Sequence, residues 1–391
     1  MKKILFIPTY TYLSSPIFTN LLPALKEYET IYLDVEDQYH CEKSSDQFKS
    51  QFSRSIHLHM NAENITFVAK IMKFFKMVRY KGRLEKLIKQ EAPSAIVTTG
   101  DLTVSARILK TYFADIPLVV IQPALFAVKD IPRKYSQQII YNVFNKILRM
   151  PIMRKQNYFG QEYKDIILLV WGKHFEKMLP NNKNIHIVGD ISFDTFPIEK
   201  SIKEKKIFLA KYGYKETTNV IVICTTVENI AEKSIVDNMY DIYKNLIITR
   251  QDLFFIIKPH PRNDTKELRE TFESLEVDNC VVINTNLYAL FKYTDIHISS
   301  FSRTAIEAVA SNIPVIAVNP DNEIHLQDFL NNELNEKVTN FQEMHDKIDD
   351  ILNNKDDYLA LGEQYIENKL YRLDGNAAQR AADIIKREIE L

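Results

Sequence analysis

The feature that most constrains this chain is an alternation that occurs twice. Short apolar runs rich in Ile, Val, Leu and Phe stand at 3–7, 30–33, 95–98, 118–121, 166–170 and 185–188. They return at 220–224, 254–258, 281–283, 296–298 and 315–318, with longer helical patterns between them. A strand that is apolar throughout must be covered on both faces, which parallel sheets achieve with crossover helices. Alternating strand and helix therefore predict βαβ units, and two series of them predict an α/β chain of two Rossmann-like domains. The length of 391 residues suits two domains better than one core. A polar, charged stretch at 196–206 separates the series. We expect an N-terminal domain over 1–190 and a C-terminal domain over 196–355. Helices over 356–391, with patterns at 356–369 and 376–390, are expected to cross back onto the first domain.

Composition removes several classes. At 46% hydrophobic and 26% charged the chain is neither disordered nor fibrous. It has eight glycines, and no two lie close enough for a GxGxxG or GxxxxGK[ST] loop, which excludes dinucleotide dehydrogenases and P-loop NTPases of the usual kind. Cys41, Cys224 and Cys280 are scattered, so neither a disulfide framework nor a zinc site is expected. The apolar run 4–7 stops at Pro8, short of the roughly seven residues of a secretory h-region, and reads as a first strand. With no run of about 18 apolar residues, a cytoplasmic protein is expected. Charge is divided unevenly. Residues 1–190 hold 27 Lys and Arg against 17 Asp and Glu, and residues 191–391 hold 23 against 34, so that a basic half faces something anionic.

Ligands of open α/β sheets bind beyond the carboxyl ends of strands, so the residues after each strand are the ones to read. The run 254–258 ends in Lys258-Pro259-His260-Pro261-Arg262. Two prolines stop the strand and display His260 between two cations, which suits a phosphate leaving group. The run 296–298 leads into Ser299-Ser300-Phe301-Ser302-Arg303-Thr304 and a helix over 305–310. Hydroxyls at a helix N-terminus make an anion site without glycine, and Ser300 or Ser302 can also cap that helix. Glu307 is placed to reach ribose hydroxyls or to lie as a surface residue favoured by the helix dipole. Thr225-Thr226 follows the run 220–224, facing the same ligand or capping the next helix.

In the first half, Gly100-Asp101 follows the run 95–98. Asp101 reads as a general base or as the N-cap of a helix over 102–109. Asp34-Val35-Glu36-Asp37 faintly suggests a DxD metal motif, and we expect no metal there. His40 and Cys41 read as loop residues. The stretch Lys70, Lys73, Lys76, Arg79, Lys81, Arg83, Lys86 and Lys89, with Phe74, Phe75 and Met77, reads as a basic amphipathic helix suited to an anionic membrane surface or as a solvated helix with an apolar edge. Nucleic acid is not expected as a partner.

These residues resemble a family. Lys258–Arg262 looks like the HP motif, and Ser299-Ser300 like the S/T motif, of bacterial sialyltransferases and polysialyltransferases, with similar pairs in capsule Kdo transferases and CDP-glycerol glycerophosphotransferases. Leu168-Leu169-Val170-Trp171-Gly172-Lys173 and Ile187-Val188-Gly189-Asp190-Ile191-Ser192-Phe193-Asp194 are similar to the inter-domain crossing of capsule-polysaccharide enzymes. So is Tyr371-Arg372-Leu373-Asp374-Gly375-Asn376-Ala377. The resemblance implies a GT-B fold with two parallel sheets facing across a cleft, and metal-independent, inverting transfer from a nucleotide-activated sugar to a glycan or lipid-linked glycan. His260 and Asp101 would be catalytic. Lys258, Pro261, Arg262, Ser299, Ser300, Ser302, Arg303, Thr304, Glu307, Thr225, Thr226 and Gly189 would hold the donor. No cofactor is implied. In those sialyltransferases an acidic base motif ends in glycine, whereas Gln38 follows Asp37 here, so Glu36 and Asp37 stand as alternative bases to Asp101. The expected donor is a CMP-activated acidic sugar, because a single phosphate needs fewer cations than two. The alternatives are a UDP-sugar or CDP-polyol transferase of the same fold, an enzyme like UDP-N-acetylglucosamine 2-epimerase, or a non-catalytic subunit that binds glycan or nucleotide. The epimerase has Asp-Ser-Gly-Gly where this chain has Ser-Ser-Phe-Ser.

Overall fold

The computed structural model describes residues 1–9, 11–35, 44–58, 67–101, 103–124, 159–160, 163–179, 182–195, 201–215, 217–225, 233–260, 263, 265–300, 302–320, 333–334 and 336–391, with backbone alone for 11–13, 67–75 and 77. The chain forms two compact units. Unit 1 is Met1–Thr195 with Asn368–Leu391, and unit 2 is Phe196–Glu367.

Unit 1 holds β1 (Lys3–Ile7), β2 (Glu29–Asp34), β3 (Arg54–His57), β4 (Ala95–Thr98), β5 (Leu118–Ile121), β6 (Ile167–Val170) and β7 (Ile185–Ile187). They form one parallel sheet in the order β3-β2-β1-β4-β5-β6-β7. Unit 2 holds β8 (Val220–Cys224), β9 (Phe254–Lys258), β10 (Cys280–Val282), β11 (Ile296–Ser299), β12 (Val315–Val318) and β13 (Lys337–Val338), parallel in the order β10-β9-β8-β11-β12-β13. Helices include α1 (Thr11–Leu21), α2 (Phe67–Glu91), α3 (Val104–Tyr112), α4 (Arg303–Ala310), α5 (Lys355–Lys369) and α6 (Ala377–Glu390). Among the described residues no helix is long and apolar enough to cross a membrane. The boundary after Glu367 leaves most of α5 in unit 2 and α6 wholly in unit 1, whereas the sequence pattern expects both helices to cross back.

The central strands β1, β4, β5 and β8 are buried at every position or all but one, as their unbroken apolar sequence requires. Two strands had no such signal. β3 alternates half-buried and exposed residues, and β13 is two residues long; both lie at sheet edges, where one face need not be apolar. In each sheet the chain winds outward from the first strand and then returns to its other side. The reversal lies between β1 and β4 in unit 1 and between β8 and β11 in unit 2, the place where such sheets open a crevice at the strands' carboxyl ends.

The C-terminal tail completes the core of unit 1. Ala377, Ala378, Ala381, Ala382, Ile385 and Ile389 of α6 pack with Ile4, Phe6, Phe18 and Leu21. Small residues on the buried face let the helix approach closely, and each buried Ile contributes roughly 1.5–3 kcal/mol. Asn376 makes no side-chain cap for α6. That role falls to Asp194, whose two carboxylate oxygens accept the Ala377 N–H (2.9 Å) and the Ala378 N–H (2.5 Å). Arg380 donates to the Val188 carbonyl (2.9 Å) and to both Asp374 oxygens (2.9 and 2.8 Å). A Cβ on Gly172 would lie 2.6 Å from the Lys369 carbonyl oxygen, so only glycine lets the tail pass there.

Candidate active site

At the reversal point of unit 2 three strand ends come together. Cys224 pairs with Lys258 and Ile223 with Ile298, so the residues that follow β8, β9 and β11 are neighbours. After β9, the Lys258-Pro259-His260 turn is held by two side chains. The His260 N–H is shared between Thr225 Oγ1 (3.0 Å) and Asn263 Oδ1 (2.9 Å), and Thr225 Oγ1 donates to Asn263 Oδ1 (2.7 Å). Asn263 N–H returns to the His260 carbonyl (2.9 Å). Thr225 therefore fixes the histidine turn. Asn263 was not singled out by sequence, although an Asn three residues after the histidine in a proline-framed turn is a usual Asx-turn former. Pro261, Arg262 and Thr226 lie outside the described residues.

Lys258 Nζ donates to the Pro259 carbonyl (2.9 Å), and burial lowers its pKa. A desolvated ammonium gains from an anion beside it, which favours the charged form again. At the end of β11, Ser299 and Ser300 are buried, at 1% and 3% exposure. Ser299 Oγ donates to the Ser300 carbonyl (3.2 Å). The cap of α4 is Ser302, which accepts the Thr304 N–H (3.3 Å), so Ser302 closes the helix and Ser300 does not. Arg303 Nε pairs with Glu307 Oε1 (3.2 Å), which also accepts the Tyr288 hydroxyl (3.2 Å). Glu307 is thus a buried carboxylate whose Oε1 accepts two hydrogen bonds, rather than a surface residue.

Thr304 departs from the expectation of a donor contact. Its hydroxyl lies 3.2 Å from His297 Nε2 and also hydrogen-bonds the Cys224 thiol, so it faces the interior. His297 is completely buried, and burial pushes its pKa down to about 3. In the unfolded chain a histidine titrates near 6.5. Between these values the unfolded state binds more protons, so stability falls as pH drops from about 6.5 toward 3, by up to about 1.4 kcal/mol per pH unit. Urea unfolding at pH 7 and pH 5 is expected to show a smaller pH difference for His297→Gln than for the natural chain. Equal differences would remove His297 from the acid response.

In unit 1, Asp101 follows β4 at the reversal point, among Thr98, Thr99 and Thr103. Ser14 and Thr99 share a hydroxyl bond (2.7 Å), and Thr9 N–H donates to Thr99 Oγ1 (3.1 Å). Asp101 is completely buried, and its Oδ2 accepts the Gly160 N–H (3.0 Å). It does not cap α3, since Thr103 Oγ1 accepts the Ala106 N–H (3.0 Å). The helix begins at Val104, two residues later than expected, because Thr103 takes the cap position.

Gly189 departs from the donor-binding expectation. It lies in unit 1 at φ +88°, and a Cβ there would meet Arg380 Nη2 at 3.1 Å and Ala377 Cβ at 3.3 Å. Its glycine serves backbone conformation and the passage of the tail. Asp34 is paired with Lys49 (2.6 Å) and lies 3.0 Å from His57 Nδ1, which leaves its carboxylate engaged within the fold. Glu36, Asp37, His40 and Cys41 lie outside the described residues.

No protein-family model matches the chain, and no curated protein matches it in sequence. Solved structures do. The chain is similar to UDP-GlcNAc 2-epimerase from Neisseria meningitidis bound to UDP-GlcNAc, at 13% identity and a TM-score of 0.61, covering 100% of both chains. It is similar to the glycotransferase of kitacinnamycin at 12% identity and a TM-score of 0.60, covering 99% of this chain and 98% of that one. It is also similar to the wall teichoic acid polymerase TagF with CDPG, at 11% identity and a TM-score of 0.54, covering 100% of this chain and 89% of that one. These likenesses show the fold. It is GT-B, which transferases and 2-epimerases share.

Proposed function

We propose that this chain is a metal-independent, inverting glycosyltransferase that holds the phosphate of a nucleotide-activated sugar at the reversal point of unit 2. The observation that carries this reading is the convergence of three strand ends there, with the His260 backbone fixed by Thr225 and Asn263, a half-buried Lys258, and the N-terminus of α4. His260 stabilises charge growing on the leaving phosphate. Ser300 and the first turn of α4 bind the phosphate, and Asp101 takes the proton of the acceptor hydroxyl. Lys258 and Arg303 are the described cations of the site, and Arg303 is already paired with Glu307. That pairing favours a single phosphate, as in a CMP-linked acidic sugar. On this reading the acceptor is a surface glycan or lipid-linked glycan, and the enzyme works in the cytoplasm at the inner face of the plasma membrane.

A second reading has a specific observation behind it. The fold matches a structure solved as a UDP-GlcNAc 2-epimerase over the full length of both chains. Incubation with CMP-, CDP- and UDP-sugars separates the two. Release of free nucleotide in step with a glycosylated acceptor is the expected outcome. An intact nucleotide-sugar with altered stereochemistry would establish the epimerase and overturn the transfer reading.

The phosphate contacts have their own test. The double change Ser299→Ala, Ser300→Ala is expected to weaken nucleotide affinity by roughly 1–3 kcal/mol, the cost of lost hydrogen bonds to charge. Unchanged calorimetric titrations would return both serines to a purely folding role.

A further inference from the structure

The basic helix α2 is not used by any step above. Its described side chains divide into two faces. Tyr80, Leu84 and Ile88 are buried, whereas Arg79, Arg83, Lys86 and Lys89 are exposed. At 100° per residue the two sets lie on roughly opposite sides of the helix. From Arg79 to Lys89 the exposed stripe runs about 15 Å.

The helix contains two acidic residues, and neither neutralises the stripe. Glu85 pairs with Lys81 (3.2 Å). Glu91 is buried and pairs with Arg54 and Lys3, and the Arg54 guanidinium holds its carboxyl below the usual range. Among the described residues no carboxylate pairs with Arg79, Arg83, Lys86 or Lys89. No acidic residue stands in the helix before Glu85. Four exposed cations in a line, with both acids of the helix turned elsewhere, present a charged face with no counterpart among the described residues of their own unit.

We propose that the exposed face of α2 docks unit 1 on an anionic lipid bilayer. A straight stripe meets a plane of headgroups along its whole length, and each cation near such a surface adds to attraction. Val78, 41% exposed beside the stripe, supplies an apolar contact suited to the boundary between headgroups and acyl chains. No exposed aromatic residue stands in the stripe to stack a base, which separates this face from a single-strand nucleic-acid platform. The proposal stands on unit 1 alone and does not depend on the nucleotide reading of unit 2.

The test is sedimentation of the full chain with phosphatidylcholine vesicles, with and without about 30% phosphatidylglycerol, in about 0.1 M and about 0.5 M NaCl. The chain is expected to sediment with the anionic vesicles at low salt and to leave them at high salt. Changing Arg79, Arg83, Lys86 and Lys89 together to Glu is expected to reduce partitioning at least about tenfold. The same four changed to Gln give a milder loss and guard against a folding defect, which the melting temperature monitors. Binding by the Glu or Gln variants as strong as by the natural chain would overturn the proposal. So would failure of the natural chain to prefer anionic vesicles, or preference for a short single-stranded RNA over them. Nucleotide-induced thermal shifts, read on the same variants, report on unit 2 separately and should be unaltered.

Discussion

His260→Ala is expected to cut turnover by about 10²-fold or more, with the melting temperature close to that of the natural chain. The reason lies in how the turn is built. The backbone of His260 is fixed from both sides, by Pro259 before it and by Thr225 and Asn263 on its N–H. The hydrogen bonds that build this frame run to the His260 backbone, so they do not need the ring. What disappears is a donor placed where charge grows as the sugar–phosphate bond breaks. Such donors count most in the transition state, so the loss falls on kcat, with donor affinity changing less. Asn263→Ala acts on the frame, and a smaller loss in kcat with a lowered melting temperature is expected. Near-normal turnover by a folded His260→Ala protein would remove the histidine from the chemistry.

Asp101→Asn is the second large effect expected, a loss of about 10²-fold or more in kcat with donor affinity and melting temperature little changed. The carboxylate follows β4 at the reversal point of unit 1 and is completely buried. Asn preserves its volume and an oxygen to accept the Gly160 N–H, and removes the basicity. This separates a proton acceptor from a structural anchor. A lowered melting temperature with normal kcat would assign Asp101 to holding the Gly160 turn. Glu36→Gln and Asp37→Asn serve as comparisons, and loss of turnover in either, with Asp101→Asn active, would move the base to that residue.

Most of the architecture was legible because its strands are buried on both faces. An unbroken apolar run such as 220–224, once helical patterns flank it, fits little besides a strand covered on both sides. The edges were not legible, since Arg54–His57 and Lys337–Val338 need no apolar face. Contacts between distant residues were equally invisible. Asp194 caps α6 from 183 residues away, and nothing local to either stretch announces it. That contact changes the meaning of two segments. The stretches at 187–194 and 371–377, which resemble capsule-polysaccharide enzymes, meet each other in unit 1, through Asp194 with Ala377 and Gly189 with Arg372 and Ala377. Gly189, which the resemblance places in the donor site, lies here against another part of the chain, Ala377 and Arg380.

The candidate residues after the strands were legible as positions in the fold, and their hydrogen-bond partners were not. Reading the residues after strands leads to His260, Ser299 and Asp101, because the location of ligands in parallel sheets is a rule of topology. Which hydroxyl caps a helix and which faces inward depends on contacts across strands. Ser302 rather than Ser300 caps α4, and Thr304 turns toward His297 and Cys224. Hydroxyls adjacent in sequence thus have opposite surroundings.

The proposed function requires that unit 2 bind a nucleoside phosphate at the carboxyl ends of β8, β9 and β11. A crystal structure of the chain soaked with CMP, CDP and UDP in turn tests it most directly. A phosphate within hydrogen-bonding distance of His260 and Ser300, at the first turn of α4, is expected for at least one of the three. A nucleotide whose phosphate sits elsewhere, such as beyond β1 and β4 in unit 1, would contradict it.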